Sequence, residues 1–376
     1  MKIAFLIRDI SRIAGQTNDI IDIAIGLHKT HPNWEFSFYA LNIYETDFVP
    51  EFIRVFQLNR NYSSFIFYRG ISKKLRNSDI VYVKGYYPYM IPAKRSGRPT
   101  ILVVHNEIPP RLFSNSKYDF RTLVANLLTP YMLKMADRAI TISYECQDYY
   151  RRRYQIETMV IPDQISEDFF VKNARKKTIS EERVSLLSVG PWHGPRFHKR
   201  QDLLLRVVAK IVEHNQKLRL TLAGIESSNS IKELENLAEN LKLKNYVTIK
   251  GRLSKEELIK EYLSNDVYVT HTTYEGFYRQ IIEAFATGMP ALVFDSRTVV
   301  DNVSSTATVN HVLKSGGGCL FADSRSFKDS LDDILSDYQS YSAKSLKYSE
   351  NYSSGVITIM NEELFVTLEK QRSSVE

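Results

Sequence analysis

Short apolar segments alternate with helical apolar stripes along most of the 376-residue chain, and this alternation constrains the fold more than any other feature. In the first half, apolar segments predict buried strands at residues 3–7, 35–40, 80–83, 100–104 and 139–142. Between the first two strands, Ile20, Ile23 and Leu27 form a helical stripe that Thr17 or Asn18 can cap. Such alternation is typical of parallel sheets covered by helices.

The pattern stops and then begins again. Residues 171–183 are polar and without periodicity, which indicates a domain boundary. A second series follows, with predicted strands at 184–189, 218–223, 247–249 and 266–270 and predicted helices at 202–213, 230–241 and 255–263. We therefore expect a first domain at 1–170, a second at 184–354, and a last helix at about 355–376 that returns to the first domain.

Composition restricts the class of protein. With 43% apolar and 25% charged residues, the chain is typical of soluble globular proteins. Its two cysteines have no metal or disulfide spacing, no apolar stretch is long enough to span a membrane, and Arg8 and Asp9 interrupt the N-terminal apolar run too early for a signal peptide. These features predict a cytoplasmic protein.

The formal charge of +7 is concentrated in one segment. Residues 52–106 contain ten Lys or Arg against one acid, Asp79, and several Tyr and Phe lie among them. A positive surface rich in aromatics suits an anionic membrane, a lipid phosphate or a nucleic acid, and a merely solvated basic face is an equal alternative.

Two glutamates, Glu275 and Glu283, flank the start of a predicted helix that Gly288 and Pro290 end. If both were helical they would lie roughly 12 Å apart along the axis, too far to act on one atom. The backbone amides between them, near residues 277–280, would form a helix N-terminus that favours phosphate. Two separate roles at a ligand site are therefore expected.

This stretch, Glu275-Gly-Phe-Tyr-Arg-Gln-Ile-Ile-Glu283-Ala, resembles the nucleotide-sugar site of retaining GT-B glycosyltransferases, family 4 in particular. Residues 136–145, 159–170 and 316–323 are similar to further elements of that family. The resemblance implies an α/β GT-B fold, with two doubly wound Rossmann-like domains facing a central cleft. It also implies an acceptor bound by the first domain and a nucleotide-diphosphate sugar held by the second.

The resemblance assigns roles to individual residues. It implies that Glu275 faces the transferred sugar, that Glu283 accepts hydrogen bonds from the ribose, and that Lys199 binds the diphosphate. His105, at the end of the strand at 100–104, corresponds to a histidine that orients the donor sugar, so Glu275 and His105 are the predicted catalytic residues. The remaining predicted donor-binding residues are Gly15, Arg196, Arg252, Gly276, Phe277, Tyr278 and Arg279.

Three positions depart from the family pattern. Pro191 occupies the usual arginine position, and Arg196 is expected to replace that arginine, with Arg200 and Arg279 as reserves. Tyr278 stands where Gly is common and adds bulk beside the diphosphate. Gly15 is one glycine where the family has two.

The predicted function is transfer of a sugar to an acceptor hydroxyl with retention of anomeric configuration. Because no Asp-x-Asp follows a strand, we expect no metal, and no cofactor besides the donor. The basic aromatic segment favours a lipid-linked or cell-envelope saccharide acceptor, with the protein peripheral at the inner face of the membrane, over nucleic acid. A nucleotide-sugar epimerase and an inactive transferase-like binding subunit are the alternatives.

Overall fold

The computed structural model describes residues 1–373 except 13–14, 59–63, 86, 105–119, 176–182, 195–197, 274 and 299–306. The chain divides into two compact units, one formed by Met1–Gln164 with Ser354–Glu376 and the other by Ile165–Ser353. Each unit contains one parallel sheet with helices connecting its strands. The predicted α/β class is therefore confirmed.

The first unit has seven strands among its described residues: β1 (Lys2–Ile10), β2 (Glu35–Ile43), β3 (Ile53–Gln57), β4 (Ile80–Lys84), β5 (Thr100–Val104), β6 (Arg138–Thr141) and β7 (Met159–Val160). They lie in the order β3-β2-β1-β4-β5-β6-β7 and all pairs are parallel. The connecting helices are α1 (Gly15–Thr30), α2 (Ser64–Leu75), α3 (Met90–Arg95), α4 (Phe120–Met135) and α5 (Tyr144–Tyr154).

The five predicted strands of this unit are confirmed, with ends shifted by up to three residues. Every residue of β4 and β5 is buried, as helices on both faces of a parallel sheet require. The prediction for α1 is wrong at its start, because the helix begins at Gly15 and Thr17 lies inside the first turn. The Thr17 hydroxyl donates to the Asp9 carbonyl at 2.9 Å, so it ties α1 to β1 instead of capping the helix.

The second unit has six strands among its described residues: β8 (Val184–Val189), β9 (Leu218–Ile225), β10 (Val247–Gly251), β11 (Val267–Thr270), β12 (Ala291–Phe294) and β13 (Gly318–Phe321). Their order is β10-β9-β8-β11-β12-β13. The helices are α6 (Gln201–Val212), α7 (Ser228–Asn240), α8 (Lys255–Ser264), α9 (Arg279–Ala286), α10 (Ala307–Ser315), α11 (Ser324–Ser336) and α12 (Tyr338–Ser349).

Sequence predictions for this unit agree closely with the structure. The strand β8 has the predicted bounds, and α6, α7 and α8 begin and end within two residues of their predictions. A capping box begins α8, since the Ser254 hydroxyl accepts from the Glu257 amide and the Glu257 carboxylate accepts from the Ser254 amide. Strand residues such as Leu186 and Leu220 pack with α6 in one buried core.

Arg175 anchors the segment that leads into the second sheet. Its guanidinium donates to the carbonyls of Thr287 at 2.7 Å, Asn265 at 2.8 Å and Tyr262 at 2.5 Å. These carbonyls lie at the C-terminal ends of α8 and α9, where helices leave acceptors without partners. One side chain thus ties the segment before β8 to the ends of both helices.

The final helix, α13 (Ser354–Ser373), belongs to the first unit. It packs on α1, where Gly26 faces Thr358 so closely that an added Cβ would collide with it. The Phe365 ring lies 5.9 Å from that of Tyr82 on β4, centroid to centroid. Because Gly26 leaves room for close contact, α13 covers one face of the first sheet.

Candidate functional site

The second sheet changes direction between β8 and β11. These strands are neighbours, but the chain continues from β8 to β9 on one side and from β11 to β12 on the other. The loops that follow the two strands therefore diverge at their carboxyl ends, and the resulting crevice is where open α/β sheets bind ligands. Lys199 and Glu275 lie in these two loops.

The loop after β8 is held against the loop after β11. Lys199 pairs with Thr272 in an isolated antiparallel bridge, and the Thr273 amide donates to the His198 carbonyl at 3.0 Å. At the start of the loop, Gly190 has φ 152°, and a Cβ there would lie 2.9 Å from the Lys199 Cδ. A glycine at this position therefore lets the Lys199 stem cross the backbone.

Three side chains meet at one carboxylate oxygen. The Lys199 Nζ lies 3.2 Å from Glu275 Oε1, and His198 Nε2 lies 3.1 Å from the same atom. The Lys199 and Glu275 side chains are only 9% and 15% exposed. A buried ion pair of this kind is weakly screened by salt.

The protonation equilibria agree with this geometry. Burial raises the pKa of the Glu275 carboxyl, but Lys199 and His198 outweigh burial and bring that pKa below its ordinary value. Burial lowers the pKa of Lys199, while Glu275 and Tyr278 raise it above its ordinary value. Both residues are therefore charged at neutral pH.

The aromatic ring of Tyr278 packs against the Lys199 ammonium. The Lys199 Nζ lies 4.7 Å from the centroid of the Tyr278 ring, within cation–π range. The Tyr278 hydroxyl lies 3.1 Å from both the Tyr268 hydroxyl and Thr270 Oγ1. Tyr278 is only 1% exposed, so its ring is buried next to Lys199. The bulk that was expected beside the diphosphate therefore lies in the interior of the second unit.

Glu283 is buried and bonded through both carboxylate oxygens. The Tyr262 hydroxyl donates to Oε2 at 3.0 Å, and Arg279 Nε donates to Oε1 at 3.2 Å. The helix α9 begins at Arg279, within the predicted region 277–280, and its N-cap residue Tyr278 makes no side-chain capping bond. The first-turn amides of α9 thus lie between Glu275 and Glu283, where they favour an anion.

The remaining predicted residues are distributed as follows. Gly276 and Phe277 are buried in the loop after β11, and the Phe277 ring lies 5.4 Å from that of His311. Arg252 is exposed immediately after β10. Arg200 donates to both carboxylate oxygens of Asp202, at 2.9 and 2.8 Å. His105 and Arg196 lie outside the described residues.

Gly15 belongs to the first unit, where it begins α1 beside the corresponding change of direction between β1 and β4. A Cβ on Gly15 would meet no atom within 4 Å. At the end of β4, Lys84 is 1% exposed and pairs with Asp19 on α1 and with Asp163, the latter at 3.4 Å. The pair with Asp19 joins α1 to the end of β4.

Sequence reasoning missed two partners of the site. His198 stands next to Lys199 in a loop already chosen for its cations, so its position was a usable signal. The bond between Tyr262 and Glu283 joins residues 21 apart, and no local pattern indicates it. Both contacts join residues that are distant in sequence.

Within the described residues, no group of three or more His, Cys, Asp or Glu side chains converges as metal ligands would. No helix in the described part of the chain is both long enough and apolar enough to cross a bilayer.

Known families match both halves of the chain. A family model described as "Glycosyl transferases group 1" matches residues 171–351, and one described as "Glycosyltransferase Family 4" matches residues 30–168. The first of these matches contains Lys199, Glu275 and Glu283.

Individual relatives are distant. The alpha-monoglucosyldiacylglycerol synthase of Streptococcus pneumoniae is 21% identical over 170 residues, which cover 45% of this chain and 35% of that protein. The putative glycosyltransferase EpsF of Bacillus subtilis is 30% identical over 146 residues, 37% of this chain and 36% of that protein. The matched segments thus span about a third of the length of each curated relative.

Solved structures share the fold over the whole chain. The Anabaena protein Alr3699/HepE, crystallised in complex with UDP, superposes with a TM-score of 0.75 at 17% identity, and the match covers 98% of this chain and 100% of that one. At this level of identity the similarity establishes the arrangement of strands and helices.

Proposed function

Because the chain belongs to the group 1 glycosyltransferases and has the GT-B fold, we propose that it transfers a sugar from a nucleotide-diphosphate sugar to an acceptor hydroxyl. One observation carries this proposal: the buried Lys199–Glu275 pair at the change of direction of the second sheet, beside the N-terminus of α9. It offers a cation and the amide groups of a helix N-terminus to a pyrophosphate and a carboxylate to the adjoining sugar.

In the proposed reaction the bond between the anomeric carbon and the pyrophosphate oxygen breaks, and its electron pair leaves with the pyrophosphate. The acceptor oxygen bonds to that carbon on the face that the pyrophosphate leaves, and the acceptor proton passes to a departing phosphate oxygen. This path retains the anomeric configuration. The Lys199 ammonium and the α9 amides stabilise the charge that develops, without a divalent cation, while Glu275 binds sugar hydroxyls and Glu283 the ribose.

The donor half is tested by thermal shift and turnover. UDP, GDP, ADP and their sugars are screened for a rise in Tm, because a ligand that binds only the folded chain raises it. HepE binds UDP, so UDP and UDP-glucose are the first probes. We expect one nucleoside diphosphate to raise Tm in the presence of EDTA. No shift with any of them would contradict the proposal.

The role of Glu275 is tested by substitution. Glu275→Ala should lower donor turnover by roughly 10²-fold or more, since a group that acts on the transition state is lost, while nucleoside diphosphate binding persists. Glu239→Ala, which removes an exposed glutamate on α7, is the matched control. Unchanged turnover in the Glu275 variant would refute the assignment. Conversion of the donor into another nucleotide sugar, without any acceptor and without release of the nucleoside diphosphate, would instead indicate epimerisation.

We further propose a lipid-linked or glycolipid acceptor at an anionic membrane surface. The Streptococcus pneumoniae relative is named for a glucosyl lipid. In the first unit, α4 exposes Leu127 by 64% and Tyr131 by 68%, and α3 packs against both α4 and the basic helix α2. Exposed cations on α2 are Arg69, Lys73 and Lys74. Apolar side chains beside cations suit a bilayer of anionic lipids.

The membrane proposal is tested by sedimentation with liposomes at low salt. Vesicles of phosphatidylglycerol and phosphatidylcholine should retain the protein, and vesicles of phosphatidylcholine alone should not. Leu127→Ser with Tyr131→Ser should weaken binding without lowering Tm, since both side chains are exposed. If the protein ignored the anionic vesicles, a soluble saccharide would become the proposed acceptor.

A further inference from the structure

His198 contacts the oxygen that Lys199 also contacts. Its Nε2 lies 3.1 Å from Glu275 Oε1, against 3.2 Å for the Lys199 Nζ. The His198 side chain is 32% exposed and Lys199 only 9% exposed, so the imidazole is the more solvent-accessible partner of the carboxylate. Glu275 therefore has two donors with different surroundings.

Backbone contacts hold the main chain at His198 in place, independently of the imidazole side chain. The His198 carbonyl accepts from the Thr273 amide at 3.0 Å and from the Thr273 hydroxyl at 3.3 Å. The next residue, Lys199, pairs with Thr272. Because the loop that carries Glu275 is already held against His198, placing the imidazole requires little further loss of backbone entropy.

In the proposed reaction, Lys199 interacts with two anions, the Glu275 carboxylate and the pyrophosphate. Its ammonium is paired with Glu275, but it also lies 4.7 Å from the ring centroid of Tyr278, the N-cap residue of α9, whose N-terminus is expected to meet the pyrophosphate. When Lys199 turns to the pyrophosphate, the buried carboxylate loses part of its compensation. A buried carboxylate without a partner is strongly unfavourable, and it would then bind a proton or move.

We infer that His198 is a positioning residue, which keeps Glu275 ionised and directed at the donor sugar while Lys199 binds the pyrophosphate. This role rests on the proposed function and deepens it. Burial works against the ionised form of Glu275, and both Lys199 and His198 lower its pKa, so of these two partners His198 still does so when Lys199 is engaged. No covalent step is assigned to the imidazole.

The test compares His198→Ala and His198→Gln. The Gln amide donates a hydrogen bond from a similar place but cannot change its charge. His214→Ala is the matched control, since His214 is an exposed histidine after α6 in the same unit. For each protein we would measure Tm, binding of UDP and of UDP-glucose by calorimetry, and the rate of UDP release, or the corresponding GDP or ADP pair if the screen selects it.

His198→Ala should retain nucleoside diphosphate binding and Tm, because Lys199 and the α9 amides are untouched. UDP-glucose should bind more tightly than UDP by a factor that is about tenfold smaller than in the wild type, and the rate of UDP release should also fall about tenfold. A tenfold change corresponds to the loss of one hydrogen bond to a charged group. His198→Gln should recover most of both. Recovery would distinguish positioning of Glu275 from a general structural role.

Any of three results would overturn the inference. In His198→Ala, the affinity gained from the sugar and the rate of UDP release could both be unchanged, or Tm and diphosphate binding could both be lowered. In His198→Gln, the affinity gained from the sugar and the rate could both fail to recover. A wild-type chain that bound no nucleoside diphosphate would instead overturn the proposed function, and the role of His198 with it. Wild-type binding and turnover combined with any of the three results would leave the function standing and remove His198 from it.

Discussion

Removing only the Lys199 ammonium should destabilise the second unit, because it leaves the Glu275 carboxylate buried with a weaker set of partners. At the observed separation of 3.2 Å, the attraction amounts to about 5 kcal/mol at an effective dielectric constant of about 20. Desolvation offsets part of this, and removing one partner of a buried pair costs roughly 3–5 kcal/mol. Since His198 remains, we expect Lys199→Met to lower the free energy of unfolding by about 3 kcal/mol.

The second substitution makes this estimate testable. Glu275→Gln in the same chain removes the buried charge, so Lys199→Met/Glu275→Gln should return to within about 1 kcal/mol of wild type. Unfolding in urea is followed by the fluorescence of Trp192, which is 2% exposed in the second unit, after the only other tryptophan, Trp34, is changed to Phe. A double variant as unstable as Lys199→Met would refute the reasoning.

A control and a pH series complete the experiment. Lys328→Met removes a cation paired with Asp332 on the surface of α11, and stability should not change measurably. The pair is charged between the ordinary pKa values of 4.5 for Glu275 and 10.5 for Lys199. Its contribution should therefore be constant in this window, and it should be lost as pH falls through the lowered Glu275 pKa or rises through the raised Lys199 pKa.

Three further predictions concern the scaffold around this pair. Arg175→Ala should lower the free energy of unfolding of the second unit by about 3 kcal/mol or more, because three carbonyls at helix ends lose a charged donor; Arg175→Lys should recover only part in the same urea assay. Gly190→Ala should weaken nucleoside diphosphate binding, because the added Cβ would displace Lys199. Gly194→Ala is its control and should affect stability alone, because Gly194 has φ 95° but a Cβ there would meet no atom within 4 Å. Equal losses of binding in the two variants would contradict this. Tyr278→Phe should cost about 1 kcal/mol through its buried hydroxyl and leave diphosphate binding intact, because the ring under Lys199 remains; calorimetry that showed lost binding would exclude that role.

Prediction from sequence succeeded where one local pattern decides the structure. Largely apolar runs gave β5 and β8 with their observed bounds, since a strand covered by helices on both faces is rich in apolar residues. It failed where the local pattern is faint. The edge strand β3 buries only Ile53, and α5 reads Tyr-Glu-Cys-Gln-Asp-Tyr-Tyr-Arg-Arg-Arg-Tyr, in which just Cys146 and Tyr150 are buried.

By itself, the sequence determined the alternation of strands and helices, the helix start between Glu275 and Glu283, and the lysine in the loop after β8. Only the tertiary structure decided that Lys199 and His198 share one oxygen of Glu275, that Tyr262 binds Glu283, and that Tyr278 is buried beneath the lysine. The reason is physical: helical and strand periodicity arises from neighbours a few residues apart. Lys199 and His198 meet Glu275 because β11 lies beside β8, and Tyr262 meets Glu283 because the helices before and after β11 pack together.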